Sequence, residues 1–532
     1  MVDVSIILNC HDEVSYLNKT LRSLDLAITY ALINKISVEL IAVFDNPTEG
    51  LEEIFKSYKF KLNFEKKIIR TCNSSLGLSR NEGVANSKGK YIWTADADDL
   101  VSENSIVELF RLAEKHALKS IDVAIYPQYV FVFGLQNFIY TMFNSDVYSA
   151  ADYAYWNPFN SKLFIKRKVL VDRPYKDLNT KTGFAFEDWE YNTYLYDKKI
   201  PQVVANNVVL YYRQRSGSIM RRMDYIRVTP DNHLFDPLNF VERQSKYHFD
   251  KKEKRKLLTA NISKQIKNNV TVTNDINLNS MIEPEISMKT LDHSISSLGS
   301  ISSNHWANQL SLLFKLTGCN KYDFVFLFSK VEKFNKVIDE LLKISKTNFN
   351  VLVIYLGEDR NKQQLAKLAD LINVNVLFFK DFFDWMLQEN KENLILRLLF
   401  SIQNSNSRLV VGSGCFENKF LLKYSRSLIN YYQIEEIGGD WTVNKQQIAV
   451  YRSPEAAKNT ILTEYQRLSG KKNAILLSTL MMSIPKQVGK DVTWDRVIAE
   501  KIRRFPMIFY ILKRLYHIPY FYKIVQKLKD GE

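Results

Sequence analysis

Three short apolar runs, Val4 to Leu8, Val38 to Phe44 and Tyr91 to Thr94, are separated by stretches of helical periodicity at Val14 to Leu32 and Ser79 to Ser87, with a further strand starting at Ile68. Continuous apolar strands need cover on both faces, and strands that alternate with helices supply that cover as βαβ units around a parallel sheet. In such sheets ligands bind beyond the carboxyl ends of the strands. What lies there is Asn9 to Glu13, Asp45 and Asp96 to Asp99, so three polar segments converge on one crevice.

The strand Tyr91 to Thr94 ends in Asp96, Asp98 and Asp99. Carboxylates so close repel one another, and a hard divalent cation that bridges to a diphosphate would compensate their charge. A solvated acidic turn is the simpler alternative for such a motif taken alone. The chain carries 532 residues with a net charge of +15, which favours an acidic partner: nucleic acid, anionic lipid or a phosphorylated substrate. A nucleic-acid backbone would be repelled by acids converging at three strand ends, so no nucleic-acid partner is expected.

The length predicts two or three domains. Cys10, Cys72, Cys319 and Cys415 lie far apart without a Cys-x-x-Cys spacing, which argues against zinc and disulfides and for a reducing compartment. The N-terminus enters a strand at once, without signal-peptide character, and no window reaches the roughly 18 apolar residues that span a bilayer. A cytoplasmic location is expected.

Residues 1–225 read as the first α/β domain, with Tyr126 to Phe133 and Phe138 to Met142 as paired strands. Residues 226–315 read as a helical connector carrying a basic cluster at Lys251 to Lys256. Residues 316–480 alternate again, with strands at Phe324 to Phe328, Val351 to Tyr355, Val374 to Phe379 and Arg408 to Val411, and predict a second Rossmann-like α/β domain. Its loop Gly412-Ser413-Gly414 is either a phosphate cradle or a plain turn. Residues 481–532 interleave basic and aromatic side chains in basic amphipathic helices, which suits either the anionic inner face of the cell membrane or packing on the second domain.

The ordered segments of the first domain resemble the family 2 glycosyltransferases of the GT-A fold. Ser5 to Glu13 looks like the family's first strand and nucleotide loop, with Asn9 where a proline is usual. Ile41 to Pro47 looks like the second strand, with Phe44 replacing the first of two aspartates and Asp45 retaining the second. Gly77 to Gly83 matches the Arg-Asn-x-Gly helix, Asp96-Ala97-Asp98-Asp99 the Asp-x-Asp motif, Gly183 to Glu190 the acceptor-side Glu-Asp motif, and Tyr212 to Ser218 the segment that closes over the site. Six motifs in the right order carry more weight than any one of them.

The resemblance implies an inverting, metal-dependent transferase that takes a sugar from a nucleotide-diphospho-sugar, UDP-linked, to a hydroxyl of a growing surface glycan or glycolipid. Carried over residue by residue, it makes Asn9, Glu13 and Asp45 contacts to the nucleoside and puts Asp96 near ribose and metal. It makes Asp98 the ligand of Mn2+ or Mg2+, and Arg80, Asn81, Arg213 and Arg215 donor-binding residues. Asp188 becomes the general base, Glu187 its neighbour that orients the acceptor or tunes it, and Trp189 a ring for sugar stacking. Structural alternatives stand beside these roles: Arg213 and Arg215 as a surface pair on a loop, Glu187, Asp188 and Glu190 as helix-terminus acids, Trp189 as core. Two other readings are a bifunctional protein whose second α/β domain is a transferase or acceptor-binding module, and a sugar-phosphate nucleotidyltransferase. The glycine-free loop after the first strand counts against the latter.

Overall fold

The computed structural model describes residues 2–178, 182–215, 228–245, 262–295, 302–329, 334–357, 362–371, 373–383, 386, 388–412, 414–436 and 442–443. The chain divides into two units, Met1–Arg452 and Ser453–Glu532. The basic aromatic tail, the cluster Lys251 to Lys256, Ser216 to Ser218 and Ser413 lie outside the described residues. Among the described residues no helix is long and apolar enough to cross a membrane.

The first 172 residues run β1 (Val4–Cys10), α1 (Leu17–Ile33), β2 (Val38–Asp45), α2 (Leu51–Ser57), β3 (Glu65–Thr71), α3 (Leu76–Ala85), β4 (Tyr91–Asp96), β5 (Leu100–Val101), α4 (Ser105–Ala117), β6 (Ala124–Gly134), β7 (Phe138–Thr141), α5 (Ala150–Tyr155), β8 (Phe164–Lys166) and α6 (Arg167–Asp172). Then follow α7 (Glu187–Asp197) and β9 (Gln202–Gln214). Strands β3, β2, β1 and β4 are parallel neighbours in that order, and β8, β6 and β7 continue the sheet antiparallel. Every residue of β1 and β2 is buried, as the unbroken apolar runs require of a sheet covered on both faces. Because β1 sits between β2 and β4, the chain reverses its winding there, and Asn9 stands in register with Asp96 at the open ends.

Two glycines of α3 explain how closely it lies on its neighbours. A side chain at Gly83 would overlap Ile7 Cγ2 and come within 3.2 Å of Val43 Cγ2, and one at Gly77 would come within 2.7 Å of the Lys176 carbonyl oxygen. Gly83→Ala is therefore expected to overpack the layer between α3 and the sheet and to lower stability by about 1–3 kcal/mol. Urea unfolding measures this, and an unchanged midpoint would contradict it.

The connector is more than a spacer. Its helices include Pro237–Ser245, Ile262–Lys267 and Val270–Ser280, and its short strand β10 (Ser294–Ile295) pairs parallel with β7 of the first sheet. Ile266, Val272, Ile276 and Ile282 form a small core with Leu100, Phe131, Phe133 and Tyr211.

The second α/β region has the strands β11 (Tyr322–Phe328), β12 (Val351–Tyr355), β13 (Val374–Phe378), β14 (Gln403–Val411), β15 (Gln433–Glu436) and β16 (Thr442–Val443). Their order is β13-β12-β11-β14-β15-β16, parallel except for the last pair, which is the doubly wound pattern expected from the sequence. In the Gly412 to Gly414 loop, Gly414 precedes the helix Cys415–Leu428, whose buried Glu417 accepts hydrogen bonds from the Ser329 backbone N–H and from Ser329 Oγ (2.9 Å). A carboxylate of the protein itself thus occupies this helix start, so turn chemistry fits the loop better than a phosphate cradle.

Candidate active site

The acidic turn after β4 is held together by a buried cation. Lys162, whose side chain is 2% exposed, lies between Asp96 and Asp99, with Nζ 2.8 Å from Asp99 Oδ2 and in contact with Asp96 Oδ2. Asp96 also accepts from Ser161 Oγ (3.2 Å) and from Arg80 Nη2 (3.4 Å). Burial alone would raise the Asp96 carboxyl, but Lys162 and Arg80 outweigh it and hold the group well below the usual carboxylate range. Asp98 fares differently: burial, then the neighbouring Asp99 and Asp96, push its carboxyl up to about 8.

The loop after β1 closes the other side of this turn. Glu13 accepts from the backbone N–H groups of His11 (2.6 Å) and Asp12 (3.0 Å), and burial pushes its carboxyl up to about 7. Arg215 spans three acids, donating to Asp12 (2.6 Å), Glu13 (2.9 Å) and Asp98 Oδ2 (2.9 Å). The Asn9 amide donates to the Ala95 carbonyl (3.4 Å), while its Oδ1 is buried without a protein partner.

On the opposite side, α7 opens with Glu187 and Asp188 directly after Phe186, which is in the left-handed backbone region (φ 68°). A bulky residue rarely adopts that conformation, and such strain collects at functional sites. Arg80, fully buried on α3, donates to Glu187 Oε1 (2.5 Å) through Nη1 while reaching Asp96 through Nη2. One guanidinium therefore joins the strand-end acids to the acids of α7. Asp188 Oδ2 accepts from Asn157 Nδ2 (3.0 Å), Asn157 Oδ1 accepts from Asn192 Nδ2 (3.0 Å), and Asn192 Oδ1 accepts from the Tyr126 hydroxyl (2.5 Å). Burial, then the charge of Glu187, push the Asp188 carboxyl up to about 7.

Several expected binding residues prove to be fastened into the protein. The Arg213 guanidinium lies 4.5 Å from the ring centres of both Tyr16 and Phe133 and bonds Glu283 (2.5 Å) and the Asp98 carbonyl (3.1 Å); it is a buried tie to the connector and is not free for phosphate. The Asn81 amide is used up by the Tyr175 backbone (2.8 and 2.9 Å). Trp189 is 4% exposed and donates to the Tyr153 carbonyl (2.7 Å), so it packs in the interior and offers no face to a sugar. Asp45 takes bonds from the Ser74 and Ser75 N–H groups, Ser79 Oγ and Asn46 Nδ2, which makes it the clamp of the β3–α3 loop. Lys162 and Asn157 were missed from sequence. A lysine directly ahead of an apolar run is an ordinary signal, and nothing local pairs it with β4.

Among the described residues no group of three or more His, Cys, Asp or Glu is arranged to hold a metal by itself. Asp96 is a counter-ion of Lys162 and Arg80 here, which departs from its expected share in a metal site. Asp98 offers a hard-oxygen donor, paired with Arg215 (2.9 Å). That donor set fits a Mg2+-like or Mn2+-like ion held by one carboxylate plus substrate phosphates, and does not fit an all-protein cage.

An open sheet with a switch point between β1 and β4, three acids at that point and a second acidic pair across the crevice define a GT-A domain. Residues 5–161 match the sequence model of glycosyl transferase family 2. A stretch of 197 residues is 29% identical to glycosyltransferase GlyG of Streptococcus pneumoniae serotype 4, covering 35% of this chain and 64% of that protein. A stretch of 125 residues is 28% identical to the minor teichoic acid biosynthesis protein GgaB of Bacillus subtilis, covering 24% of this chain and 13% of that protein. The chain thus spans less than two thirds of the length of either relative. Among solved structures, S. aureus TarS 1-349 in complex with UDP-GlcNAc is 14% identical, covers 60% of this chain and 94% of that one, and superposes with a TM-score of 0.32. The fold assignment rests on sheet order and not on that likeness.

Proposed function

We propose that this protein transfers a sugar from a nucleotide-diphospho-sugar, UDP-linked, to a hydroxyl of a cell-surface glycan or glycolipid, inverting the anomeric centre. The carrying observation is the Arg80 bridge, which ties the donor-side Asp96 to Glu187 beside Asp188. In this reading Asp188 takes the proton from the acceptor hydroxyl while that oxygen attacks the sugar C1; the bond from C1 to the diphosphate breaks, and its electron pair leaves with the nucleoside diphosphate. The chain Asn157, Asn192 and Tyr126 orients the Asp188 carboxylate, and Glu187, neutralised by Arg80, keeps the two acids compatible. Asp98 would hold Mn2+ or Mg2+, which when bound would offset the negative charge that grows on the leaving diphosphate. Arg215 exchanges its acidic partners for the diphosphate when donor binds, and Glu13 and the unpartnered Asn9 Oδ1 accept from the nucleoside. The acceptor class follows the printed name of the teichoic acid relative. A peripheral seat on the cytoplasmic membrane face through residues 481–532 belongs to the same proposal.

The test is a panel of nucleotide sugars assayed for Mn2+-dependent transfer or hydrolysis. No turnover of any donor by the folded protein would sink the reading. A binding readout is independent of turnover: UDP with Mn2+ at ~100 times its Kd is expected to add about 2.7 kcal/mol to wild-type stability. In Asp98→Ala the Mn2+-dependent part of that gain is expected to vanish, and an equal gain would remove Asp98 from the ion.

A further inference from the structure

The chain that delivers Glu187 and Asp188 does not hold itself in place. Its start, Thr182 and Gly183, is fastened to the helix Cys415–Leu428 of the second α/β region and to the turn that follows it. Ser427 Oγ donates to the Gly183 carbonyl (2.6 Å), and Asn430 Nδ2 donates to the Thr182 carbonyl (2.9 Å). Gly183 has φ +76°, and a side chain there would come within 2.6 Å of the Ser427 backbone nitrogen and 2.7 Å of Arg426 Cβ, so only glycine permits this approach. The next residue, Phe184, is buried with its ring 5.4 Å from Phe400 and 6.3 Å from Tyr431, centre to centre. Two residues later comes the left-handed Phe186, and then the acidic pair.

We infer that the second α/β region is the positioning element of the acceptor side: Ser427 and Asn430, with the close seat of Gly183, set the loop that aims Asp188. The inference rests on the proposed transferase reading and adds to it a role for the second region, in place of a second active site. A strained backbone persists only where its surroundings over-determine it, and the surroundings of this loop come from both sides. Toward the first sheet, Arg80 holds Glu187; toward the second, two carbonyls and one aromatic ring are held. Tyr431 extends the same hold to the chain after β9, since its hydroxyl accepts from the Asp231 N–H (2.8 Å), and Arg397 donates to the Thr229 carbonyl (2.7 Å). None of these residues belongs to the donor pocket. Loosening them should leave nucleotide binding alone and misplace the base, and misplacement of about an ångström costs on the order of 100-fold in rate.

The experiment uses the full chain with the paired substitution Ser427→Ala and Asn430→Ala, and separately Gly183→Ala, each checked for an intact melting transition. Hydrogen exchange across residues 182–190 is expected to accelerate roughly tenfold or more, because two hydrogen bonds that hold the loop are lost, while exchange in α1 stays unchanged. With the UDP-hexose that turns over fastest, kcat should fall roughly 10-fold to 100-fold, the affinity for UDP with Mn2+ should hold, and Ser427→Thr should retain most activity. The acid limb of the rate profile should move to lower pH as Asp188 gains water. Unaltered exchange at 182–190 in both variants overturns the positioning role whatever the turnover. If instead the folded wild-type protein turns over no donor, the transferase reading has failed; if Asp188→Asn alone leaves turnover intact, Asp188 is not the base and the loop has nothing catalytic to aim.

Discussion

Lys162→Met is expected to lower the stability of this protein by about 3–5 kcal/mol at pH 7, the range seen when one partner of a buried ion pair is removed. Methionine keeps the unbranched shape of lysine, so the loss isolates the charge. Asp96 and Asp99 both face Lys162; Asp99 is 3% exposed and does not regain water when the ammonium goes, whereas the Asp96 side chain is 23% exposed and keeps Arg80. The pH dependence follows from the direction of the Asp96 shift. In the native protein the Asp96 carboxyl lies below its unfolded value, so its contribution to stability is present above about pH 4 and fades as pH falls through the folded value. In the variant both carboxyls rise, the buried Asp99 most, and a raised carboxyl costs stability as pH climbs past its unfolded value. The gap between variant and native protein should therefore be widest near pH 7 and narrow toward pH 4. Urea midpoints at the two pH values decide the matter, and a gap that is absent at pH 7 would mean that water already solvates this turn.

Lys162 also marks the boundary of what the sequence made legible. Strand and helix periods exposed the alternation of β1, α1, β2 and β4, and with it the crevice where Asn9 and Asp96 meet. Four of the five parallel strands of the second sheet, β11 to β14, were visible for the same reason, since periodicity is a property of neighbouring residues; the short β15 was not. Pairings across long separations were not. Lys162 reaches Asp96 across 66 residues because β8 lies antiparallel to β4, and Arg213 reaches Glu283 across 70 because the connector folds back on the first sheet. Motif resemblance placed Arg80, Asn81 and Asp45 near the site but could not say that Asn81 and Asp45 are occupied by the backbone of other segments, Tyr175 and Ser74–Ser75. Nor does any local pattern disclose that the acceptor-side loop leans on the helix Cys415–Leu428, since Gly183 and Ser427 are 244 residues apart. The acids were legible as acids; which of them are free was decided by partners that only the fold supplies.

Asp188→Asn is expected to abolish transfer, a loss of about 100-fold to 10,000-fold if the residue acts as general base. Binding of UDP with Mn2+ should persist. The amide keeps the size of the side chain and a partner for Asn157, so the loss would report the missing proton acceptor and not a collapsed loop. Two signatures separate this from a structural role. Because burial and Glu187 push the Asp188 carboxyl up to about 7, wild-type kcat should climb as pH rises through the neutral range and level off above it, the base being inactive when protonated. The same shift has the opposite sign for stability. A carboxyl whose folded value lies above its unfolded value stabilises the fold fully only below about pH 4, and that contribution is lost progressively as pH rises through the folded value near 7. The neutral asparagine escapes this cost, so Asp188→Asn should be more stable than wild type at pH 8 and show no such advantage at pH 4. An inactive variant that is also the more stable protein at alkaline pH is what a residue kept for chemistry at the expense of the fold predicts. A variant that is both active and less stable at pH 8 would assign Asp188 to the helix start alone.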